Sequence, residues 1–229
     1  MTFTTEQFNQ ILGIDDSYKA PDALMKVMLD KEKREQLFRE FLKLERDTSY
    51  DWFQSYYEAE QAQRKDKKQD FTPMSVATLL SKLTGEDEPH IFTDTTAGNG
   101  GVLIKAWRHN ADPFSNPSEY WFVAQELSDR SIPFLIFNFA IRGWNGLIYH
   151  GDSLEGKYKN IYFIQNTENN WLGFSDVNVV LRNNFDNDDK EWLGINEFYG
   201  EQAIEHIESK FPDWIPLIEE KKGQMSLFE

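Results

Sequence analysis

The chain has 229 residues, no cysteine and a formal net charge of −15, and 40% of its residues are hydrophobic. This length suits one α/β domain with an appendage or two small domains. The absence of cysteine excludes disulfides and cysteine-ligated zinc, and no two of the four histidines stand at metal-ligand spacing, so we expect no metal site. The acidic charge argues against broad affinity for polyanions. Without a basic leader or a long apolar run, we expect a cytoplasmic protein with no membrane contact.

Residues 20–65 have the pattern of helices. Apolar residues recur near the helical period between charged residues, and Pro21 suits a first helical turn. We therefore predict an N-terminal helical region over residues 1–66, which could contact DNA, dimerise or only support the next domain. The dense basic run at 63–69 is interpreted as a solvated helix end or linker rather than a phosphate contact.

After residue 66 the pattern changes to alternating strands and helices. Such alternation is typical of βαβ units and predicts an α/β domain with a doubly wound, mostly parallel sheet over residues 67–216. A flexible tail is predicted over residues 217–229. Strands are expected at HIFTD, YWFVAQEL, GLIYHGD, NIYFIQN and DVNVVLR, and helices at FTPMSVATLLSKL, GGVLIKAWRHN, DRSIPFLIFNFAIRG and NEFYGEQAIEHIESKF.

The stretch TDTTAGNGG is a glycine-rich turn between the first strand and its helix. It contains Asp94, Gly98 and Gly100, and it fits neither a P-loop nor the G-x-G-x-x-G pattern. Glycines let the backbone approach a ligand, and the following helix offers unpaired N–H groups. Acidic residues also end the next two strands: Glu126 is suited to ribose hydroxyls and Asp152 to an adenine amino group. Each of these features alone could serve only a turn or a cap, although the ligand-binding interpretation is favoured.

Four segments in order, QDFTP, DTTAGNGGVL, QEL and HGDSL, resemble the adenine-N6 DNA methyltransferases. The similarity is to the modification subunits of type I restriction systems and their phage relatives, and it covers about residues 65–165. It implies a Rossmann-like methyltransferase fold, S-adenosylmethionine as cofactor, double-stranded DNA as substrate and a possible specificity subunit as partner. The cofactor-binding residues that it implies are Phe71, Thr72, Asp94, Thr95, Gly98, Gly100, Glu126 and Asp152.

The chain departs from this family at the catalytic motif. The family places Asn-Pro-Pro-aromatic after the fourth strand, where it orients a flipped adenine. Here the chain reads Asn166-Thr167-Glu168-Asn169, and only Asn166 matches, so it is the predicted catalytic residue. The alternative alignment at 183–185 keeps the aromatic residue but again lacks both prolines. Trp171 could stack on a base, although core packing is the favoured interpretation.

The segment QMSLF at residues 224–228 resembles the pentapeptide that docks bacterial proteins on the sliding clamp. Leu227 and Phe228 would be its apolar anchors and Gln224 its polar contact. Two functions from different classes therefore stand side by side. One is a DNA adenine-N6 methyltransferase with a degenerate motif; the other is an inactive module that binds the cofactor, the clamp or both. Methylation of a protein or a small molecule is a third possibility.

Overall fold

The computed structural model describes residues 4–54, 56, 76, 91–112, 114–179 and 181–210. The predictions for Phe71, Thr72 and the tail lie outside these residues. Within them, no helix is long and apolar enough to cross a membrane, and no cluster of side chains could hold a metal ion. The helices are α1 (Thr5–Leu12), α2 (Ala20–Met28), α3 (Lys31–Leu44), α4 (Gly101–Asn110), α5 (Ile132–Ile141) and α6 (Asn187–Trp192), and the strands are β1 (Ile91–Asp94), β2 (Trp121–Glu126), β3 (Gly146–Asp152), β4 (Lys157–Gln165), β5 (Asp176–Val179) and β6 (Glu197–Phe198).

The strands form one mixed sheet in the order β1-β2-β3-β4-β5, with β6 beside β4. The pairs β1–β2, β2–β3 and β4–β6 are parallel, whereas β4 is antiparallel to both β3 and β5. The α/β class and the mostly parallel sheet are therefore confirmed. A doubly wound sheet reverses its strand order part-way, and the strands that the structure describes show no such reversal.

The departure from a doubly wound sheet begins at the connection from β3 to β4. Only residues 153–156 join these strands, and a crossover to a parallel strand needs a dozen residues or more. Gly156 has a φ of +63°, and Asp152 Oδ1 accepts hydrogen bonds from the N–H groups of Leu154 (2.9 Å) and Glu155 (3.1 Å). The chain therefore turns back as a hairpin, and β4 runs opposite to its predicted direction.

One face of the sheet carries a large hydrophobic core, in which α4, α5 and the N-terminal helices all take part. Consecutive parallel strands joined by right-handed crossovers place both connecting helices on the same face. All ten residues of α5 are buried. Phe137 packs edge-on against Phe38 of α3 at 4.8 Å, and Phe134 stacks near Phe8 of α1 at 6.2 Å. The N-terminal helices thus support the sheet, one of the three roles that the sequence left open.

The prediction of a late helix at NEFYGEQAIEHIESKF is wrong for the residues of this segment that the structure describes, 196–210. Residues 197–198 form β6, and residues 199–210 contain no helix. The backbone of His206 instead forms an antiparallel bridge with Val179, and the N–H of Ala203 donates to Asn160 Oδ1 at 2.9 Å. The sheet edge therefore supplies the hydrogen bonds that a helix would have made internally, and Ile204 is left 87% exposed.

Candidate functional site

The glycine-rich turn joins β1 to α4 at the carboxyl end of the parallel strands. Gly98 and Gly100 have φ values of +56° and +88°, in the left-handed region that glycine tolerates best. The N–H of Ala97 donates to the carbonyl of Gln125 at 2.9 Å, so the turn is fastened to the neighbouring strand β2. A Cβ on Gly100 would lie 2.9 Å from Leu135 Cδ1 of α5, so a larger residue would force either the turn or Leu135 to move.

Glu126 ends β2 directly beside this turn. Its Oε2 accepts a hydrogen bond from the N–H of Gly98 at 2.8 Å, and its Oε1 accepts one from the N–H of Ser128 at 2.7 Å. The residue is 6% exposed. Burial raises the pKa of this carboxyl, the two backbone N–H groups oppose the rise, and the charge of Asp94 adds to it. The turn and the acidic residue therefore form one structural unit.

Asp94 is the second carboxylate of this unit. It ends β1 in register with Ala124, two residues before Glu126, and its Oδ1 accepts the N–H of Thr96 at 3.0 Å. Burial raises the pKa of Asp94 as well, against the effect of that hydrogen bond. Neither Asp94 nor Glu126 forms an ion pair within the described residues. A buried carboxylate beside a half-buried one, neither paired with a described basic side chain, favours a positively charged ligand.

The first turn of α4 supplies hydrogen-bond donors at the same place. Gly100 is the N-cap residue, and no side chain caps the helix. The N–H groups at the start of a helix have no partner within it, and the helix dipole makes them favourable for an anion. The turn thus offers donors for a carboxylate next to acceptors for a cation.

Thr95 and Asp152 lie on the edges of this arrangement. Thr95 is exposed within the turn. Asp152 stands two residues beyond His150, which is in register with Glu126, so it is at the same end of the sheet. Its Oδ1 caps the β3–β4 turn. The structure therefore brings together Asp94, Thr95, Gly98, Gly100 and Glu126, with Asp152 farther out.

These features agree with one comparison. A model of the N-6 DNA methylase family matches residues 47–212. The chain belongs to the N-6 DNA methylase family. The match begins inside the predicted N-terminal region and covers most of the predicted α/β domain. No curated protein and no solved structure matches the chain.

Asn166 lies away from the glycine-rich turn. Because β4 is antiparallel to β3, its carboxyl end is beside the amino end of β3, where Ile164 is in register with Gly146. The Asn166 N–H donates to Asn145 Oδ1 at 2.7 Å, and its Nδ2 donates to the carbonyl of Asn170 at 2.7 Å. The side chain is 1% exposed. The structure thus places Asn166 in a loop-stabilising position and does not bring it to the other predicted site residues.

Sequence reasoning missed a histidine at the edge of this candidate site. His150 is 7% exposed, and its Nε2 lies 2.8 Å from Asp129 Oδ1, although the two groups are not aligned as a hydrogen bond. Lys159 Nζ lies 2.5 Å from the same oxygen. Burial lowers the pKa of His150 to about 4, against the opposing effect of Asp129. The signal was its position at the end of the third strand, in HGD, where only the aspartate was considered.

Proposed function

We propose that this member of the N-6 DNA methylase family binds S-adenosylmethionine at the carboxyl edge of β1 and β2. The observation that carries the proposal is the hydrogen bond from the Gly98 N–H to buried Glu126, which joins the glycine-rich turn to an acidic strand end. The turn, the uncapped helix and the carboxylates are complementary to different parts of one molecule. Such a site at the carboxyl end of parallel strands is where α/β sheets bind their ligands.

The chemistry of the cofactor fits the residues present. Its amino group and sulfonium are cationic and suit Asp94, whose pKa is raised by burial in the absence of a cation. Its carboxylate suits the free N–H groups at the start of α4, and its ribose hydroxyls suit Glu126. Asp152 and Thr95 would reach its outer part, with Phe71 and Thr72 as further proposed contacts. When bound, the cofactor supplies an activated methyl group; the chain's own residues bind, orient and neutralise it.

For the reaction, the position of Asn166 favours the second candidate function. In the family, the asparagine orients the adenine amino group toward the methyl group, which requires it to lie at the cofactor edge. Here Asn166 is about seven strand residues away, at the opposite end of β3, or about 20 Å by the rise of a strand. We therefore propose a module that binds the cofactor without itself orienting adenine through Asn166. The alternative is an active enzyme that transfers the methyl group of the cofactor to adenine in DNA.

Partners would then decide what the module does. Double-stranded DNA is the substrate class that the family suggests. Because the chain has a net charge of −15, we expect its own affinity for DNA to be weak and to require a second protein that holds it on the duplex. A specificity subunit or the sliding clamp would provide this additional binding to DNA. The clamp proposal rests on the sequence of the tail, where Gln224, Leu227 and Phe228 form the docking pattern.

Calorimetry with S-adenosylmethionine tests the cofactor proposal. Asp94→Asn preserves the shape of the side chain and removes its charge, so we expect the affinity to fall about tenfold or more, in line with one lost charged contact. S-adenosylhomocysteine lacks the sulfonium and should bind wild type less tightly. Asp186→Asn is the matched control, because Asp186 caps α6 outside the site. Unchanged affinity in Asp94→Asn would refute the site.

Methyl transfer is measured on the same protein with labelled cofactor and unmethylated duplex DNA, with and without clamp loaded on the DNA. We expect binding without transfer. Label in adenine would contradict the module and restore the enzyme. Transfer only on clamp-loaded DNA, lost on deletion of residues 224–229, would show that the tail recruits an active enzyme.

A further inference from the structure

A cavity of about 470 Å³ lies at the amino end of the sheet. Its wall includes Tyr120, one residue before β2, and Trp144, two residues before β3, whereas Asp94 and Glu126 end their strands. β3 spans seven residues, so the cavity and the glycine-rich turn are about 20 Å apart. The cavity shares none of the residues proposed to hold the cofactor.

The walls of this cavity are aromatic and well packed. Trp144 is stacked on Phe122 at 3.9 Å with an interplanar angle of 5°, and Trp107 meets Trp144 nearly edge-on at 5.4 Å. Phe114 and Trp171 also line the cavity, and they form an edge-to-face pair at 5.1 Å. They are 68% and 44% exposed, so their rings stand at the mouth with faces available to a ligand.

The loop that carries Trp171 is held in place. Asn166 accepts the N–H of Asn170 at 3.1 Å and donates to its carbonyl, closing the loop on itself. Asn169 has a φ of +48°, an uncommon conformation for a residue other than glycine, and its Oδ1 accepts the N–H of Ser118 at 2.9 Å. This last bond joins the Trp171 loop to the segment that follows Phe114. The exposed aromatic pair is therefore preorganised rather than loosely attached.

Charged and polar groups complete the cavity. Arg46 and Arg108 line it, are exposed, and form no salt bridge with any described residue. Asp47 and Asp112 add carboxylate acceptors to the same wall. Trp144 is 3% exposed, and its Nε1 is a buried donor without a hydrogen-bond partner in the described part of the chain.

We propose that this cavity binds a purine mononucleotide. The base packs against Trp171 and Phe114, and the phosphate pairs with Arg108 and Arg46. Stacking on aromatic side chains accepts any base, and a bicyclic purine offers the larger surface. Arginine matches phosphate through paired N–H donors. The overall charge of −15 favours a free nucleotide over a base within a long strand.

The full-length protein is titrated calorimetrically with adenosine 5′-monophosphate, adenosine and a single-stranded oligo-deoxyadenylate. We expect the monophosphate to bind, and adenosine to bind about tenfold less tightly because it lacks the phosphate. Trp171→Ala should weaken binding about tenfold, whereas Trp171→Phe, which keeps a stacking ring, should retain most of it. Arg108→Ala should also lose about tenfold. Trp192→Ala is the matched control, an exposed tryptophan on α6 outside the cavity.

The Glu126→Gln variant separates this site from the cofactor site, because Glu126 is the proposed contact of the ribose, which the monophosphate shares with the cofactor. This variant should bind the monophosphate as wild type does. Loss of binding in that variant would place the nucleotide at the glycine-rich turn and overturn the proposal. So would the absence of binding at millimolar monophosphate, or equal affinity in Trp171→Ala. Binding of the oligonucleotide alone would show a single-strand site and refute the free nucleotide. If Trp171→Ala fails to fold, Arg108→Ala and Trp171→Phe decide the question.

Discussion

His150 is a neutral imidazole held in a buried position beside Asp129. Burial lowers its pKa to about 4, below the ordinary value of 6.5 that the unfolded chain would show. Between these values the unfolded state binds more protons than the folded state, so the free energy of unfolding falls as the pH drops from about 6.5 toward 4. One proton corresponds to about 1.4 kcal/mol per pH unit, which amounts to about 3 kcal/mol over this window.

His150→Asn should remove this acid-side loss. Urea unfolding at several pH values gives the slope, and we expect the variant to have a shallower slope than wild type between pH 6.5 and 4, whatever its absolute stability. His109→Asn, at an exposed position on α4, should keep the wild-type slope. Equal slopes for His150→Asn and wild type would show that the His150 imidazole has the same pKa in the folded and unfolded states, and would contradict this prediction.

At the scale of elements, the turn from β1 to α4 depends on glycine for two reasons. Gly100 has a φ of +88°, which costs a residue with a Cβ about 1–2 kcal/mol. Its Cβ would also approach Leu135 Cδ1 to 2.9 Å, and Leu135 is fully buried in α5, so the core must shift at a further cost of about 1–3 kcal/mol.

Gly100→Ala is therefore expected to lose more stability than Gly13→Ala. Gly13 ends α1 with a φ of +66°, and a Cβ there meets no atom within 4 Å, so its variant measures the backbone cost alone. Thermal unfolding gives the two losses, and calorimetry should show weaker S-adenosylmethionine binding only for Gly100→Ala. Equal losses of stability in the two variants would mean that Leu135 moves away from the added methyl group at no cost in free energy.

The glycine-rich turn was predictable because its information is local. A β-rich run, an aspartate and three glycines before an apolar helix specify β1, the turn and α4 within twenty residues. The acidic ends of β2 and β3 followed from the same alternation. The buried helix in DRSIPFLIFNFAIRG was also predicted correctly, because an apolar segment of that length between two strands is too long for a strand and indicates a buried helix.

Strand direction was not predictable from apolar pattern, since β4 reads alike in either orientation. The informative feature was the short connection after Asp152, which is too brief for a crossover even at the seven residues (153–159) that separate the predicted strands. This single hairpin moved Asn166 to the other end of the sheet. The late helix was predicted wrongly for a related reason. Its apolar residues recur at the helical period, but the segment pairs with the backbone of Val179 instead, and this long-range contact is not encoded in the segment's own sequence.

At the scale of the whole molecule, a buried ion pair joins the beginning of the chain to its last described segment. Arg34 of α3 is fully buried and donates to both carboxylate oxygens of Glu208, with Nη1 at 2.7 Å from Oε1. The same guanidinium donates to the carbonyl of Met28 at 2.6 Å. Glu208 also accepts the N–H of Val177 at 3.0 Å, so the pair reaches β5 as well.

Glu208→Gln leaves the buried Arg34 guanidinium without a carboxylate and should destabilise the protein by about 3–5 kcal/mol. Arg34→Met should destabilise it less, because Glu208 keeps His206 Nε2 at 2.6 Å from its Oε1. The double variant should lose clearly less than the sum of the two, since no uncompensated ion then remains. Arg39→Met is the control: Arg39 lies on the same helix and pairs with Glu35 at the surface, where such a pair contributes less than about 1 kcal/mol. Urea unfolding of the four variants and wild type completes the cycle. Additive losses would show that Arg34 and Glu208 stabilise the molecule through separate contacts, and that the last described segment is not held to α3 by this pair.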